Sequence, residues 1–176
     1  MLPNPLHPAV VHFPIVLMLF LPFLTAVVVW RLHDGARRRA WGLVTLTAAL
    51  LVASGVVAKE AGEDQEERVE RVLASEQPLE AHQDAADVFL VGAWLVLGVS
   101  LVGFAGGVAG TSARLATLAG TLVVAWLGWR VGDLGGKLVY EHGAASAYVG
   151  TAASTDTAAH PPTANEDRDD ERDEHQ

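Results

Sequence analysis

The chain contains no cysteine. Disulfides, thiolate metal sites and iron–sulfur clusters held by this chain are therefore excluded, and the redox compartment stays open. Lysine is almost as scarce, with Lys59 and Lys137 the only two, set among 21 acidic residues, a balance resembling that of halophile proteins. No basic patch with interleaved aromatics occurs, so nucleic acid is not an expected partner. No His-Glu-x-x-His or comparable base-bearing motif is present, which argues against a metal-dependent hydrolase and leaves no enzymatic class favoured. The first residues lack the basic n-region of a signal peptide, and the apolar run behind them is too long for an h-region. That run reads as a retained first span.

What the chain does have is four apolar runs of roughly 20 residues, the length that crosses about 30 Å of hydrocarbon. The sequence predicts an all-α fold, a four-transmembrane-helix bundle of two antiparallel hairpins with a disordered acidic C-terminal tail. Residues 1–149 form the membrane domain, with spans at about 8–30, 40–58, 85–109 and 114–133 and an acidic outer loop at 59–84. Residues 150–176, composed of Ala, Thr, Ser and Pro and then charge, have almost nothing to bury and read as disordered.

Span one carries Pro8 at a helix start, where its missing N–H costs nothing. Pro14 and Pro22 fall inside it and should bend it with the bent side toward other helices, since lipid cannot satisfy the freed carbonyls. Trp30 and Trp41 bracket the link to span two like one side of an aromatic belt. In the outer loop, Val69, Val72 and Leu73 are spaced for one face of a short, solvated connecting helix. Span three holds Gly103 with Gly107 and Gly106 with Gly110, and span four holds Gly128, Gly132 and Gly136. These are spacings that let membrane helices pack closely and offer a face for an oligomer. A turn at Gly110-Thr111-Ser112 joins the two spans, and a glycine-punctuated segment from Gly135 to Gly143 follows span four along the membrane surface.

Charge sets the orientation. Arg31, Arg37, Arg38 and Arg39, with Arg114 in the other tight link, lie on one face, which the positive-inside rule assigns to the cytoplasm. The loop 59–84 (nine acidic, three basic) and the tail (eight acidic, two basic) each carry net −6 and fall on the other face. The protein is thus expected in the cell membrane with both termini extracytoplasmic.

Four of the seven histidines converge on that outer face. His7 and His12 open span one, His82 opens span three and His142 follows span four; His33, His160 and His175 sit in a loop and the tail. Pro8 precedes His12 by four residues and Pro78 precedes His82 by four, so each hairpin begins Pro-x-x-x-His. His7 and His12 are five apart, about 140° around a helix, and cannot ligate side by side on one face. A shared site must be built between helices, as bundles build theirs. Neutral imidazole is the commonest metal ligand and a frequent axial ligand of haem iron. His7, His82, His12 and His142 are therefore the candidate ligands of a b-type haem or a single transition metal ion. Arg130 and Lys137 lie where haem propionates would be met. Glu60, Asp87, Asp133 and Glu141 lie at a depth to orient imidazole N–H groups. Against this stands the plainer reading, in which each histidine is an interfacial residue satisfied by water or headgroups and Arg130 snorkels and pairs with Asp133.

The stretch His7-Pro8-x-x-Val11-His12-Phe13-Pro14-Ile15, His82 at the third span and Gly135-Gly136-Lys137-Leu138-Val139-Tyr140-Glu141-His142-Gly143 resemble a prokaryotic membrane family known as domain of unknown function 2231. The resemblance covers about residues 5–149 and implies a four-span protein. Relatives joined to Rieske or cytochrome-type modules imply work near electron transfer. His7 and His82 match the family's histidines best, whereas the position of His12 is acidic in relatives, which ranks it lower as an iron ligand. Without cysteine there is no Rieske module here, so a redox partner would be a separate chain or a quinone. The expected function is a haem- or metal-binding electron-transfer component. The alternative is a non-redox accessory or transport-related membrane protein whose histidines are structural or pH-responsive.

Overall fold

The computed structural model describes residues 10–31 and 37–147. Among them are α1 (His12–Arg31), α2 (Arg37–Glu63), α3 (Glu66–Glu70), α4 (Gln77–Val102) and α5 (Gly107–Tyr140), and no strand. The all-α expectation holds, and α1, α2, α4 and α5 are each long and apolar enough to cross a membrane. His7, Pro8, His33 and the tail 150–176 lie outside the described residues.

Helix is the state that such runs must take in hydrocarbon, where every backbone N–H and C=O has to find its partner within the segment. On α1 the buried positions are Pro14, Met18, Leu21, Pro22, Thr25 and Val28, a stripe at three- and four-residue spacing. Both prolines lie on that stripe, toward the other helices as expected. Pro22 removes the N–H that would reach the Met18 carbonyl. Phe13, Phe20, Phe23 and Trp30 point the other way and are exposed, as are Trp94, Leu95, Leu122 and Trp129 on α4 and α5. An apolar surface this continuous is foreign to a water-soluble monomer and suits acyl chains.

α1 packs against α2 and α5, and α4 packs against the same two, closing a ring of four helices with antiparallel neighbours. The inward face of α5 is built of small residues, Gly110, Ala113, Thr117, Thr121, Val124 and Gly128. Gly128 has the sharpest reason to be glycine, since a Cβ there would overlap the Met18 thioether and press on the Phe89 ring. α1, α4 and α5 meet at that layer. Thr25, Ser100, Thr117 and Thr121 are buried, and each hydroxyl donates to a backbone carbonyl of its own helix at 2.7–2.8 Å. Buried hydroxyls satisfied this way avoid the desolvation cost of an unpaired group.

At the arginine end of the bundle the structure departs from the aromatic-belt expectation. Trp30 is exposed, but Trp41 is fully buried. Its indole N–H donates to the Ser100 carbonyl at 2.8 Å, tying α2 to α4, and its ring fills the place where a side chain on Gly103 would stand. The Arg114 guanidinium lies over the same ring at 5.8 Å, and its Nε donates to the Gly103 carbonyl at 2.8 Å. A cation at carbonyls that the helix itself leaves unpaired is favourable in charge as well as in hydrogen bonding.

The turn between the last two spans also falls earlier than the sequence suggested. α4 ends at Val102, and residues 103–106 reverse the chain through short-range bonds such as Ala105 N–H to the Val102 carbonyl at 3.0 Å. Gly107, at φ +64°, starts α5 in a conformation that glycine adopts without strain. Gly110-Thr111-Ser112 is thus helix, and Gly103, Gly106, Gly107 and Gly110 shape the turn and its landing rather than a helix-packing face. At the other end α5 runs on to Tyr140, so Gly135, Gly136 and Lys137 are helical and not a surface segment. Only at Gly143, with φ +73°, does the chain swing away, returning Ala144 against Leu138. Val69 of α3 joins Leu79, Leu138 and Ala144 in a small apolar cluster. The connecting helix is therefore docked on the bundle through Val69, with Leu73 half-buried beside it and Val72 exposed.

Candidate functional site

The Met18–Phe89–Gly128 layer gives a depth reference. At a rise of about 1.5 Å per residue, His12 lies about 9 Å and His82 about 10 Å from it toward the same end, with Arg130 about 3 Å along. The placement of His12 and His82 at one end of the bundle is thus common to sequence and structure.

His82 is the histidine that the fold holds. It stands on the second turn of α4, half-buried, with its Nδ1 3.2 Å from the Val131 carbonyl of α5. Gly135 makes room for it, since a Cβ at that position would meet the imidazole Cε1 at 3.0 Å. If Nδ1 carries the proton it donates to that carbonyl, and Nε2 becomes the nitrogen with the lone pair. A backbone carbonyl on the far ring nitrogen is one of the partners that fixes a metal-ligating imidazole. Two of the four carboxylates expected in that role are engaged by lysines. Asp87 pairs with Lys59, which also reaches Glu63 at 3.5 Å, and Asp133 pairs with Lys137 at 2.8 Å.

His12 begins α1 and is exposed. His142 is exposed just beyond α5, where it and Glu141 border a shallow groove of about 330 Å³ against Leu73, Ser75, Gln77 and Pro78. His7 lies outside the described residues. Among the described residues, no three His, Asp or Glu side chains gather closely enough to hold a metal ion. Of the two cations placed at this end, Lys137 is taken by Asp133, so Arg130 does not pair with Asp133 as its spacing suggested. Arg130 instead stacks on Trp126, 5.6 Å from the ring centroid. It also borders a groove of about 340 Å³ between α4 and α5, walled by Ala85, Val88, Leu127 and Leu134 with Asp84 on the rim.

Sequence reasoning missed Gly135 as the seat of His82 and Asp84 as the acidic residue that shares the groove with Arg130. Gly135 stands seven residues after Gly128 on the same face of α5, a repeat that could have marked both as close approaches.

Four apolar helices in a closed antiparallel ring, with ionisable side chains confined to the two ends, define a polytopic membrane protein. The chain belongs to the family described as "Predicted membrane protein (DUF2231)", whose model matches residues 3–148. No curated protein and no solved structure matches it.

Proposed function

We propose that this protein is a non-enzymatic membrane component that binds a b-type haem or a transition metal ion through imidazole at its histidine end and exchanges electrons there with a separate protein or a quinone. The observation that carries the reading is His82, seated by Gly135 with its Nδ1 3.2 Å from the Val131 carbonyl, a contact that orients the imidazole at the end of the bundle. His82 would supply one imidazole to such a group. His12, His142 and His7 are the candidates for a second. The Met18 and Phe89 side chains fill the layer below, so the group belongs on the end of the bundle and not between its helices. Bound iron or copper would supply one-electron chemistry. The protein's own part is to fix the imidazole, to offer Arg130 as a charge partner and to keep the site at the membrane boundary.

A second reading is favoured by the same contact seen differently. His82 joins α4 to α5 whether or not it ligates anything, which fits a non-redox accessory protein with a structural histidine. One experiment separates them. The full chain, purified in detergent from cells supplied with haem and metals, is analysed for metal and its absorption recorded before and after dithionite. The redox reading expects a Soret band or stoichiometric metal that His82→Ala abolishes. A colourless, metal-free protein would overturn it and leave the accessory reading.

A further inference from the structure

We infer that the groove between α4 and α5 is a binding site for one phospholipid whose headgroup carries a phosphodiester and a primary ammonium. The inference does not require a haem or metal at His82, although it draws on Arg130, which the proposed function also uses.

The groove presents two opposite charges in a definite order. Arg130 lies near the Gly128 layer, and helix geometry tilts side chains toward the N-terminus of their own helix, which for α5 is toward the membrane interior. Its guanidinium accordingly lies over Trp126, one turn deeper. Asp84 belongs to α4, which runs the other way, so its carboxylate tilts outward. Counting from Phe89, its backbone already lies about 7 Å beyond the Gly128 layer, against about 3 Å for Arg130. The cation is therefore inside and the anion outside. A zwitterionic phospholipid has the complementary order, with the phosphate next to the glycerol and the ammonium farther out.

Neither charge is spent within the chain. The ion pairs of the described residues join Lys59, Arg71 and Lys137 to their acids, and none includes Arg130 or Asp84. Arg130 offers a planar fork of donors that matches a phosphate, backed by an aromatic face. Asp84 accepts N–H bonds, which a primary ammonium can give and a quaternary one cannot. Val88 and Leu127, one residue from Phe89 and Gly128, line the groove with apolar side chains, and Trp126, beneath the Arg130 guanidinium, is exposed. The exposed apolar surface of the bundle suits acyl chains, so a lipid is the occupant that the two charges select.

The test uses the delipidated full chain in detergent and native mass spectrometry, titrating phosphatidylethanolamine, phosphatidylcholine and phosphatidylglycerol separately. One phosphatidylethanolamine should bind at a concentration several-fold lower than either of the others. Arg130→Gln should weaken all three about tenfold. Asp84→Asn, an exposed substitution that leaves the packing untouched, should erase the preference for phosphatidylethanolamine over phosphatidylcholine and strengthen phosphatidylglycerol. Arg31→Gln, at the opposite end beside Trp30, should change nothing. Equal binding of the three lipids by the wild type, a preference that survives Asp84→Asn, or an Arg31→Gln effect matching that of Arg130→Gln would each overturn the site in favour of unspecific annular lipid.

Discussion

The two ends of the bundle use their aromatic and ionisable side chains differently. At the arginine end Trp41 and Arg114 are turned inward and consumed, while Arg31 and Arg39 stay exposed. Trp41 is buried with its N–H on Ser100, and Arg114 spends its Nε on the Gly103 carbonyl while lying over the indole. At the histidine end Asp84, Arg130, Glu141 and His142 remain exposed, while His82 is held by the Val131 carbonyl and Asp87 by Lys59 of α2. A polar group locked into a protein's own carbonyls contributes to the fold. One left at the surface of a groove is available to something else. The contrast sets a tryptophan and arginine locked into backbone carbonyls at one end against exposed ionisable groups bordering grooves at the other.

Substitutions can break this comparison. The largest effect should come from Trp41→Ala, which empties a fully buried aromatic site and strips the bond to Ser100. A loss of about 3–5 kcal/mol is expected, read from unfolding of the purified protein in detergent titrated with sodium dodecyl sulfate. Arg114→Gln should follow at about 1–3 kcal/mol, because a charged hydrogen bond to a helix-end carbonyl is removed. His82→Ala should cost only about 1 kcal/mol in the same assay, the worth of one ordinary hydrogen bond. Lys137→Ala, which removes an exposed i,i+4 pair with Asp133, should leave the midpoint unchanged. The ranking matters more than any single value. Should His82→Ala destabilise as much as Trp41→Ala, the histidine end would be structural too, and the division of labour would fail.

Much of the architecture was legible because the bilayer imposes it. Span number, the approximate span positions and the shared end of His12 and His82 follow from run length and charge, which are local in sequence. The fate of Trp41 was not legible. A tryptophan beside a charged link fits a belt and a core equally well, and Ser100 and Gly103, which decide between them, are about 60 residues away. The glycines misled for a related reason. Their four-residue spacing suits close helix packing, yet Gly132 and Gly136 have open space around them, whereas Gly128 is closely packed and Gly103 serves the indole and the turn. Spacing says which positions share a face and leaves open what faces them. The carboxylates at the histidine end were assigned to imidazoles on depth alone. Asp87 and Asp133 went to lysines instead, and a backbone carbonyl, invisible in side-chain patterns, took the role at His82.

The claim on which the rest depends is that the two ends lie on opposite faces of a membrane. Because the native chain has no cysteine, single introduced thiols report on it without background. Ser146→Cys marks the histidine end and Ser112→Cys the arginine end, both at exposed positions. With a membrane-impermeant maleimide on intact cells, the positive-inside expectation is that Ser146→Cys labels directly and Ser112→Cys only after permeabilisation. Labelling of both thiols from the same side would contradict the account.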